Sequence, residues 1–181
     1  MSTTFSKGHK WTYEDYVNIP EDGLRHEIIA GEHLVNPSPS TQHQYVSKRL
    51  QYQLYVKIEL AGIGVLYGAP IDVQLSEFDI VQPDLVIILN ENIDKITPTK
   101  IQVAPHLVVE ILSPSTASHD RTIKKELYER ARVSEYWIVD PFDHHVEQWV
   151  LRDGGFVLNP KTNVVQLSFV EGIAIDFDTV W

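Results

Sequence analysis

The sequence predicts an α/β fold in which a mixed central β-sheet is flanked by helices, with extra β-hairpins in the N-terminal and C-terminal parts. Three short runs, "DLVIIL", "HLVVEIL" and "EYWIVD", are apolar on both faces, as strands of a covered sheet are. Two other segments carry apolar residues at helical spacing. Because no repeat, low-complexity tract or Gly/Ser linker interrupts the 181 residues, we expect a single domain over residues 1–181.

The N-terminal third predicts a short helix, a hairpin and a long helix. Thr12 followed by Asp15 is typical of a capping box, and "HEII" and "EHLV" flank a two-residue "AG" turn. From about Thr41 to Ala61 the apolar residues are four apart, and Gly62 is placed to end that helix. The apolar stripe consists of Val46, Leu50, Leu54 and Ile58. We expect one strand within "GVLYGAPIDVQL".

A second helix is expected between "HLVVEIL" and "EYWIVD", from Asp120 to about Ala131. At 100° per residue, its apolar stripe contains Ile123, Leu127 and Ala131. A polar ridge of Asp120, Lys124 and Tyr128 runs along the edge of that stripe. The tail predicts hairpins around the "DGG" at 153–155 and a less buried surface.

Composition narrows the classes of function. The net charge of −10 argues against a protein that coats nucleic acid by neutralising phosphates, although bound divalent cations and a local basic strip can bring nucleic acid to an acidic site. The absence of cysteine excludes disulfides and thiolate chemistry. No apolar run approaches the length of roughly 20 residues that a membrane helix needs. We therefore expect a cytoplasmic protein without membrane contact.

Two carboxylates occupy strands that are otherwise apolar. Asp84 opens "DLVIIL" directly after Pro83, and Glu110 lies near the end of "HLVVEIL". If these strands pair antiparallel, the carboxylates meet at one end of the sheet, where a divalent metal would offset the repulsion between their negative charges. Oxygen ligands of this kind suit Mg²⁺ or Mn²⁺. Alternatively, Asp84 is a turn residue, and Glu110 is satisfied by amides of the "SPST" loop or by an arginine.

Helical geometry selects one of two adjacent lysines. Lys124 borders the core side of the second helix, whereas Lys125 points about 100° further, toward solvent. A lysine beside two carboxylates can orient an attacking water or neutralise developing phosphate charge. The alternative is that Lys124 only pairs with Asp120 at i,i+4.

The segments "QPD", "VVEILSPST" and "DRTIKKELYERARVSEYWIVDP" resemble the family of putative restriction endonucleases within the PD-(D/E)XK phosphodiesterase superfamily. The resemblance extends over nearly the whole chain. It implies that Asp84 and Glu110 are metal ligands, that the carbonyl of Ile111 adds a third oxygen, and that a lysine positions the water. Leu112 stands where the E-x-K lysine belongs, so the resemblance places that lysine at Lys124.

Further residues follow from the same resemblance. Glu27 matches a family glutamate and adds a third carboxylate. Gln42 and His43 fit the start of the long helix, where they either face the site or serve only to begin the helix. Asp120 and Tyr128 are accessory candidates on the ridge of Lys124. Arg132 replaces a glycine that would end the helix in a left-handed turn, so either Arg132 adopts that turn at some steric cost or the helix ends by a different route.

The function that we predict is metal-dependent hydrolysis of phosphodiester bonds by an endonuclease, with DNA as the favoured substrate and a homodimer as the expected assembly. Basic residues that would meet the nucleic acid are Lys48, Arg49, Arg121 and Lys125, each of which taken singly is more typical of a solvated surface. Two alternatives stay open. The first is a catalytically inactive nuclease-fold binding module, in which Lys124 would point away from Asp84 and Glu110. The second is a hydrolase of small phosphoesters, which predicts a closed pocket.

Overall fold

The computed structural model describes residues 8–114 and 116–181, so residues 1–7 and 115 of the predicted domain lie outside the described residues. The helical elements are α1 (Tyr13–Tyr16), α2 (Thr41–Leu54) with a π-helical turn (Tyr55–Glu59), a 3-10 turn (Asn90–Lys95), α3 (Ala117–His119), a second π-helical turn (Asp120–Lys124), α4 (Lys125–Arg130) and a further 3-10 turn (Phe177–Thr179). The strands are β1 (Arg25–Ile29), β2 (Glu32–Asn36), β3 (Gly64–Gly68), β4 (Asp72–Ser76), β5 (Asp79–Val81), β6 (Leu85–Leu89), β7 (Lys100–Ile101), β8 (Leu107–Ile111), β9 (Glu135–Asp140), β10 (His145–Arg152), β11 (Gly155–Leu158), β12 (Val164–Gln166) and β13 (Ala174–Asp176).

The central sheet is mixed, as predicted. Within the described residues it has six strands in the order β11-β10-β9-β8-β6-β3. Strands β8 and β9 run parallel because the helix between them carries the chain back across the sheet, whereas the other neighbours pair antiparallel. The three apolar runs of the sequence are β6, β8 and β9, three of the four inner strands.

A second sheet of the described chain has the order β2-β1-β5-β4-β7. Its β1–β2 hairpin is closed by Ala30 and Gly31, both at positive φ, which confirms the predicted two-residue turn. The expectation of one strand in "GVLYGAPIDVQL" is wrong, because the segment forms β3 in the central sheet and β4 in the second sheet. Pro70 separates them, since proline has no N–H for a sheet ladder.

Helix α2 covers one face of the central sheet. All four residues of its predicted stripe are fully buried and pack against Leu85, Ile87, Leu107 and Val109. The opposite face, with Val86 and Val108, packs against α4 and the second sheet. The predicted covering of both faces is therefore confirmed.

The second helix differs from its prediction in two respects. It begins at Ala117, three residues early, and it contains the π-helical turn Asp120–Lys124. Lys124 and Tyr128 are more deeply buried than Ile123 and Ala131, so the polar ridge is the centre of the buried face and not its edge. The physical reason is that i→i+5 hydrogen bonding widens the turn and rotates the residues relative to an α-helix.

The second helix ends as the sequence predicts. Arg132 adopts a φ of 65°, and the amides of Arg132 and Val133 bond the carbonyls of Glu129 and Tyr128. The tail, in contrast, is more buried than expected, because Val165, Ile175 and Phe177 belong to the core under α2. Across residues 8–114 and 116–181, the helices are all too short or too polar to cross a membrane.

Candidate metal and catalytic site

The start of β6 faces the end of β8. Leu85 pairs with Val109 in antiparallel register, which places Asp84 next to Glu110 on the sheet face covered by α4. The amide of Ile111 donates to Oδ2 of Asp84 at 2.8 Å. Both carboxylates are buried, with exposed fractions of 5% for Asp84 and 3% for Glu110. The antiparallel pairing that the sequence suggested thus brings them together.

Lys124 reaches this strand end from the second helix. Its Nζ lies 3.0 Å from Oε1 of Glu110 and 3.0 Å from Oε1 of Glu27, and 3.8 Å from Oδ1 of Asp120. The Tyr128 hydroxyl donates to the same Glu110 oxygen at 2.7 Å. We call Glu27, Asp84, Glu110 and Asp120 the acidic cluster. The Lys124 ammonium is buried among these acids, so the i,i+4 pairing with Asp120 is one of its contacts rather than its main one.

Glu27 has no exposed surface and is held by protein donors. Its Oε1 accepts from the amide of Gln82 at 2.7 Å as well as from Lys124, and its Oε2 accepts from Nδ2 of Asn36 at 2.6 Å. A carboxylate whose oxygens are already engaged in this way fits the positioning of Lys124 better than the predicted role of metal ligand.

Asp84 has two basic neighbours, one of which the sequence analysis missed. His43 Nε2 lies 2.9 Å from Oδ2, and Arg25 Nη1 donates to Oδ1 at 3.2 Å. The missed signal is an alternation: Arg25 and Glu27 are two residues apart on β1 and so share a face, and Asn36 stands opposite Arg25 on β2. The β1–β2 hairpin therefore places a cation, an acid and an amide close together beside Asp84.

The structure does not bring every predicted residue to the acidic cluster. Gln42 donates to the carbonyl of Pro141 at 3.4 Å and contacts none of the four acids. The predicted basic residues also lie elsewhere in the described chain. Arg49 binds the carbonyls of Thr179 and Trp181, Arg121 pairs with Asp140 and Glu147, Lys125 lies 3.7 Å from the Trp149 ring centroid, and Lys48 lies 5.8 Å from that of Tyr45.

The pKa values of the acids diverge. Burial raises the pKa of Glu110 to about 8, with Asp120, Asp84 and Glu27 adding to the rise and Lys124 opposing it. Burial likewise raises the pKa of Asp120 to about 6. For Asp84 burial is outweighed by the His43 hydrogen bond and the Arg25 charge, which hold its pKa below the usual value. Burial would lower the pKa of Lys124, but Glu110, Glu27 and Asp120 together raise it.

The donor set fits a divalent cation. When all four acids are ionised, they face two permanent cations among the described residues, Arg25 and Lys124, which leaves two negative charges for a metal to neutralise. A cavity of about 30 Å³ lies between Asp84, Glu110 and Asp120, next to Ile111. Within the described part of the chain, no three acidic or histidine side chains converge on one ion, so Asp84 and Glu110 would need water or substrate oxygens to complete the shell.

Comparisons with known proteins agree with this architecture. A sequence model of the family described as "Uma2: Putative restriction endonuclease" matches residues 13–177. Among similar solved structures is that of a putative nuclease belonging to DUF820 from Anabaena variabilis, with 17% identity and a TM-score of 0.77, covering 93% of this chain and 96% of that chain. At this identity the likeness concerns the fold. No curated protein matches the chain.

Proposed function

Because the chain belongs to the Uma2 family of putative restriction endonucleases, we propose that it is a metal-dependent endonuclease that hydrolyses phosphodiester bonds of nucleic acid. The observation that supports this most directly is the position of Lys124, whose ammonium is buried between Glu110 and Glu27 beside the strand-end pair of Asp84 and Glu110. A buried lysine among acids with surplus negative charge is the arrangement that metal-assisted hydrolysis of a phosphate diester requires.

The protein groups have distinct roles in this proposal. Asp84 and Glu110, with the Ile111 carbonyl, hold Mg²⁺ or Mn²⁺, which when bound supplies charge neutralisation for the phosphate and an activated water. Lys124 donates hydrogen bonds that hold the attacking water or the phosphoryl oxygens in place. Glu27 fixes the direction of the Lys124 ammonium. His43 and Arg25 hold the Asp84 carboxylate in one orientation.

The binding-module alternative predicted a Lys124 side chain that turns away from the acids. The side chain instead donates to Glu110 at 3.0 Å, which favours the enzyme. Lys124 lies on the buried face of the second helix, and the same face packs Leu127 and Tyr128 into the core. The proposed catalytic lysine is therefore fixed by the packing of the fold.

The test is a nicking and cleavage assay on plasmid and single-stranded DNA with Mg²⁺ or Mn²⁺. We expect Asp84→Asn, Glu110→Gln and Lys124→Met each to lose at least about 100-fold in rate, the scale on which single catalytic electrostatic groups act. Lys95→Met is the matched control, because Lys95 is an exposed lysine whose ammonium pairs with the exposed Asp94. Thermal unfolding of every variant checks that folding is retained.

Three outcomes would contradict the proposal. Cutting that survives all three substitutions would assign the activity to another site or to a contaminant. A wild-type protein that cuts neither DNA nor RNA, nor the small diester bis(p-nitrophenyl) phosphate, would return the chain to the binding-module alternative. Hydrolysis of the small diester without any cutting of nucleic acid would favour the small-phosphoester alternative.

DNA as the substrate and a homodimer as the assembly are part of the same proposal. One acidic cluster can cut one strand, so cleavage of both strands of a duplex by two copies explains why a pair would form. Parallel assays on DNA and RNA and sedimentation of the active protein test these two points. Preferential cutting of RNA, or double-strand cleavage by a monomer, would contradict them.

A further inference from the structure

A larger cavity adjoins the acidic cluster. Its volume is about 290 Å³, roughly ten times that of the cavity between the carboxylates. Arg25, Asn36 and Asp84 line both cavities, so the two share a wall. A molecule in the larger cavity would therefore lie directly beside the bond that the proposed enzyme cuts.

The walls of this cavity are mostly uncharged. Ser38 lies on the loop between β2 and α2, and Gln44, Ser47 and Gln51 project from α2. Apolar surface is supplied by Leu24, Pro39 and Pro70. Among the described residues that line the cavity, the permanently charged ones are Arg25 and Asp84, both at the end next to the acidic cluster. Hydroxyls and amides between apolar surfaces suit a flat heteroaromatic ligand rather than a phosphate.

Two buried polar atoms in the lining residues have no hydrogen-bond partner. One is Nδ1 of His43, a residue that is 6% exposed, and the other is Nε of Arg25. Leaving buried polar atoms unpaired is costly, and native proteins do so rarely. His43 Nε2 already contacts Asp84, so a neutral ring that donates from Nε2 offers an acceptor at Nδ1. Both atoms belong to side chains that line the cavity, so its wall contains polar groups that the described protein residues leave unsatisfied.

We propose that this cavity binds one unpaired nucleobase next to the cleaved phosphodiester, so that the enzyme acts on nucleic acid with unpaired nucleotides at the cut. The volume stands at the lower end of the roughly 300–1,000 Å³ range of ligand pockets, and a base pair stacked in a duplex could not enter it. The inference rests on the proposed function for the identity of the bond that is cut, but the binding of the base does not depend on catalysis.

Binding, measured with Ca²⁺ in place of Mg²⁺, is the first test. Fluorescein-labelled oligothymidylate is compared with an abasic strand of the same length and charge and with a fully paired duplex. We expect the wild type to bind the strand with bases about tenfold more tightly than the abasic strand, as stacking and hydrogen bonding of one base allow. Gln44→Trp, which fills the cavity from an exposed position on α2, should abolish that preference.

Two further variants complete the design. Ser38→Trp fills the cavity from the opposite wall and should act in the same way, whereas Gln166→Trp, at an exposed glutamine of β12, should keep the preference. Hydrolysis of bis(p-nitrophenyl) phosphate with Mn²⁺ reports the acidic cluster separately, because that substrate carries no nucleobase. Gln166→Trp, which lies outside the cavity, should hydrolyse it at the wild-type rate.

The outcomes separate the two proposals. A wild type that prefers bases but hydrolyses no phosphodiester supports the pocket and overturns the nuclease. A wild type that hydrolyses phosphodiesters while Gln44→Trp and Ser38→Trp keep the preference for bases overturns the pocket and supports the nuclease. A wild type with no preference for bases overturns the pocket as well.

Discussion

Glu110 and Glu135 are both buried glutamates on neighbouring parallel strands, but their surroundings are opposite in character. Glu135, with no exposed surface, accepts from four donors: Trp137 Nε1 and Gln148 Nε2 on one oxygen, and the amide and hydroxyl of Ser168 on the other. Glu110 accepts from Lys124 and Tyr128 on a single oxygen and shares its surroundings with three other acids.

The difference teaches that burial of a carboxylate does not by itself indicate a functional site. At Glu135 the hydrogen bonds link β9 to β10 and to the tail at Ser168. The carboxylate is surrounded by the dipoles of its donors, and these bonds stabilise the fold. At Glu110 the donors are too few for the number of acids, and the surplus charge is what a metal would neutralise. The number of hydrogen-bond donors relative to the number of acids is the property that distinguishes the surroundings of Glu110 from those of Glu135.

Exchanging each carboxylate for its amide should give the largest contrast. We expect Glu110→Gln to lower metal-dependent cleavage at least about 100-fold, because a proposed metal ligand is lost. Glu135→Gln should cleave at the wild-type rate at a temperature where it remains folded. The comparison fails if Glu135→Gln, shown by circular dichroism to be folded, loses as much activity as Glu110→Gln.

A divalent metal should stabilise the folded protein, and of the two glutamates only Glu110 should be needed for this effect. At a Mg²⁺ or Mn²⁺ concentration 100 times its Kd, binding to the folded state raises the free energy of unfolding by about 2.7 kcal/mol. Wild type and Glu135→Gln should show that increase in thermal unfolding, and chelator should reverse it. An equal increase in Glu110→Gln would locate the metal away from the acidic cluster.

Without metal, the two substitutions should separate in stability. Glu135→Gln should lower the free energy of unfolding by about 2 kcal/mol, since an amide nitrogen then faces hydrogen-bond donors in a buried place. Glu110→Gln should change it by less than about 1 kcal/mol, because burial raises the pKa of Glu110 to about 8, so that at pH 7 an uncharged amide replaces a largely uncharged acid. Urea unfolding at pH 7 with chelator measures both. A larger loss for Glu110→Gln would show that this carboxyl is ionised in the folded protein.

A small change in stability alone is expected at a position remote in function from both glutamates. Arg132→Gly should raise the free energy of unfolding by about 1 kcal/mol, because glycine adopts the positive φ without the cost that a side chain imposes. Cleavage should be unaffected. This variant calibrates the urea measurements, and a loss of stability in it would mean that the exposed Arg132 side chain contributes contacts that outweigh its strained backbone.

Much of the strand-end arrangement was predictable from local patterns. The apolar runs predicted adjacent strands, antiparallel pairing predicted that Asp84 and Glu110 meet, and helical geometry together with the family resemblance singled out Lys124. These inferences needed only periodicity and neighbouring elements. They succeeded because β6, β8 and the second helix follow one another in the chain.

What the sequence could not predict depends on contacts between distant segments. Arg25 joins Asp84 across 59 positions, and Ser168 joins Glu135 across 33. No local period encodes which sheet edge a hairpin packs against, so the role of Arg25 was missed. The burial of the tail was missed for the same reason, since the short strands β12 and β13 become buried only through packing under α2.

The π-helical turn at Asp120–Lys124 has a consequence for how genes of this kind are compared. Such a turn holds one residue more than an α-helical turn, so a single codon gained or lost converts one into the other. We expect related genes to differ by one codon between the strand glutamate and the lysine while the lysine keeps its place in space. Alignments that impose a fixed spacing between these two residues would then miss genuine relatives.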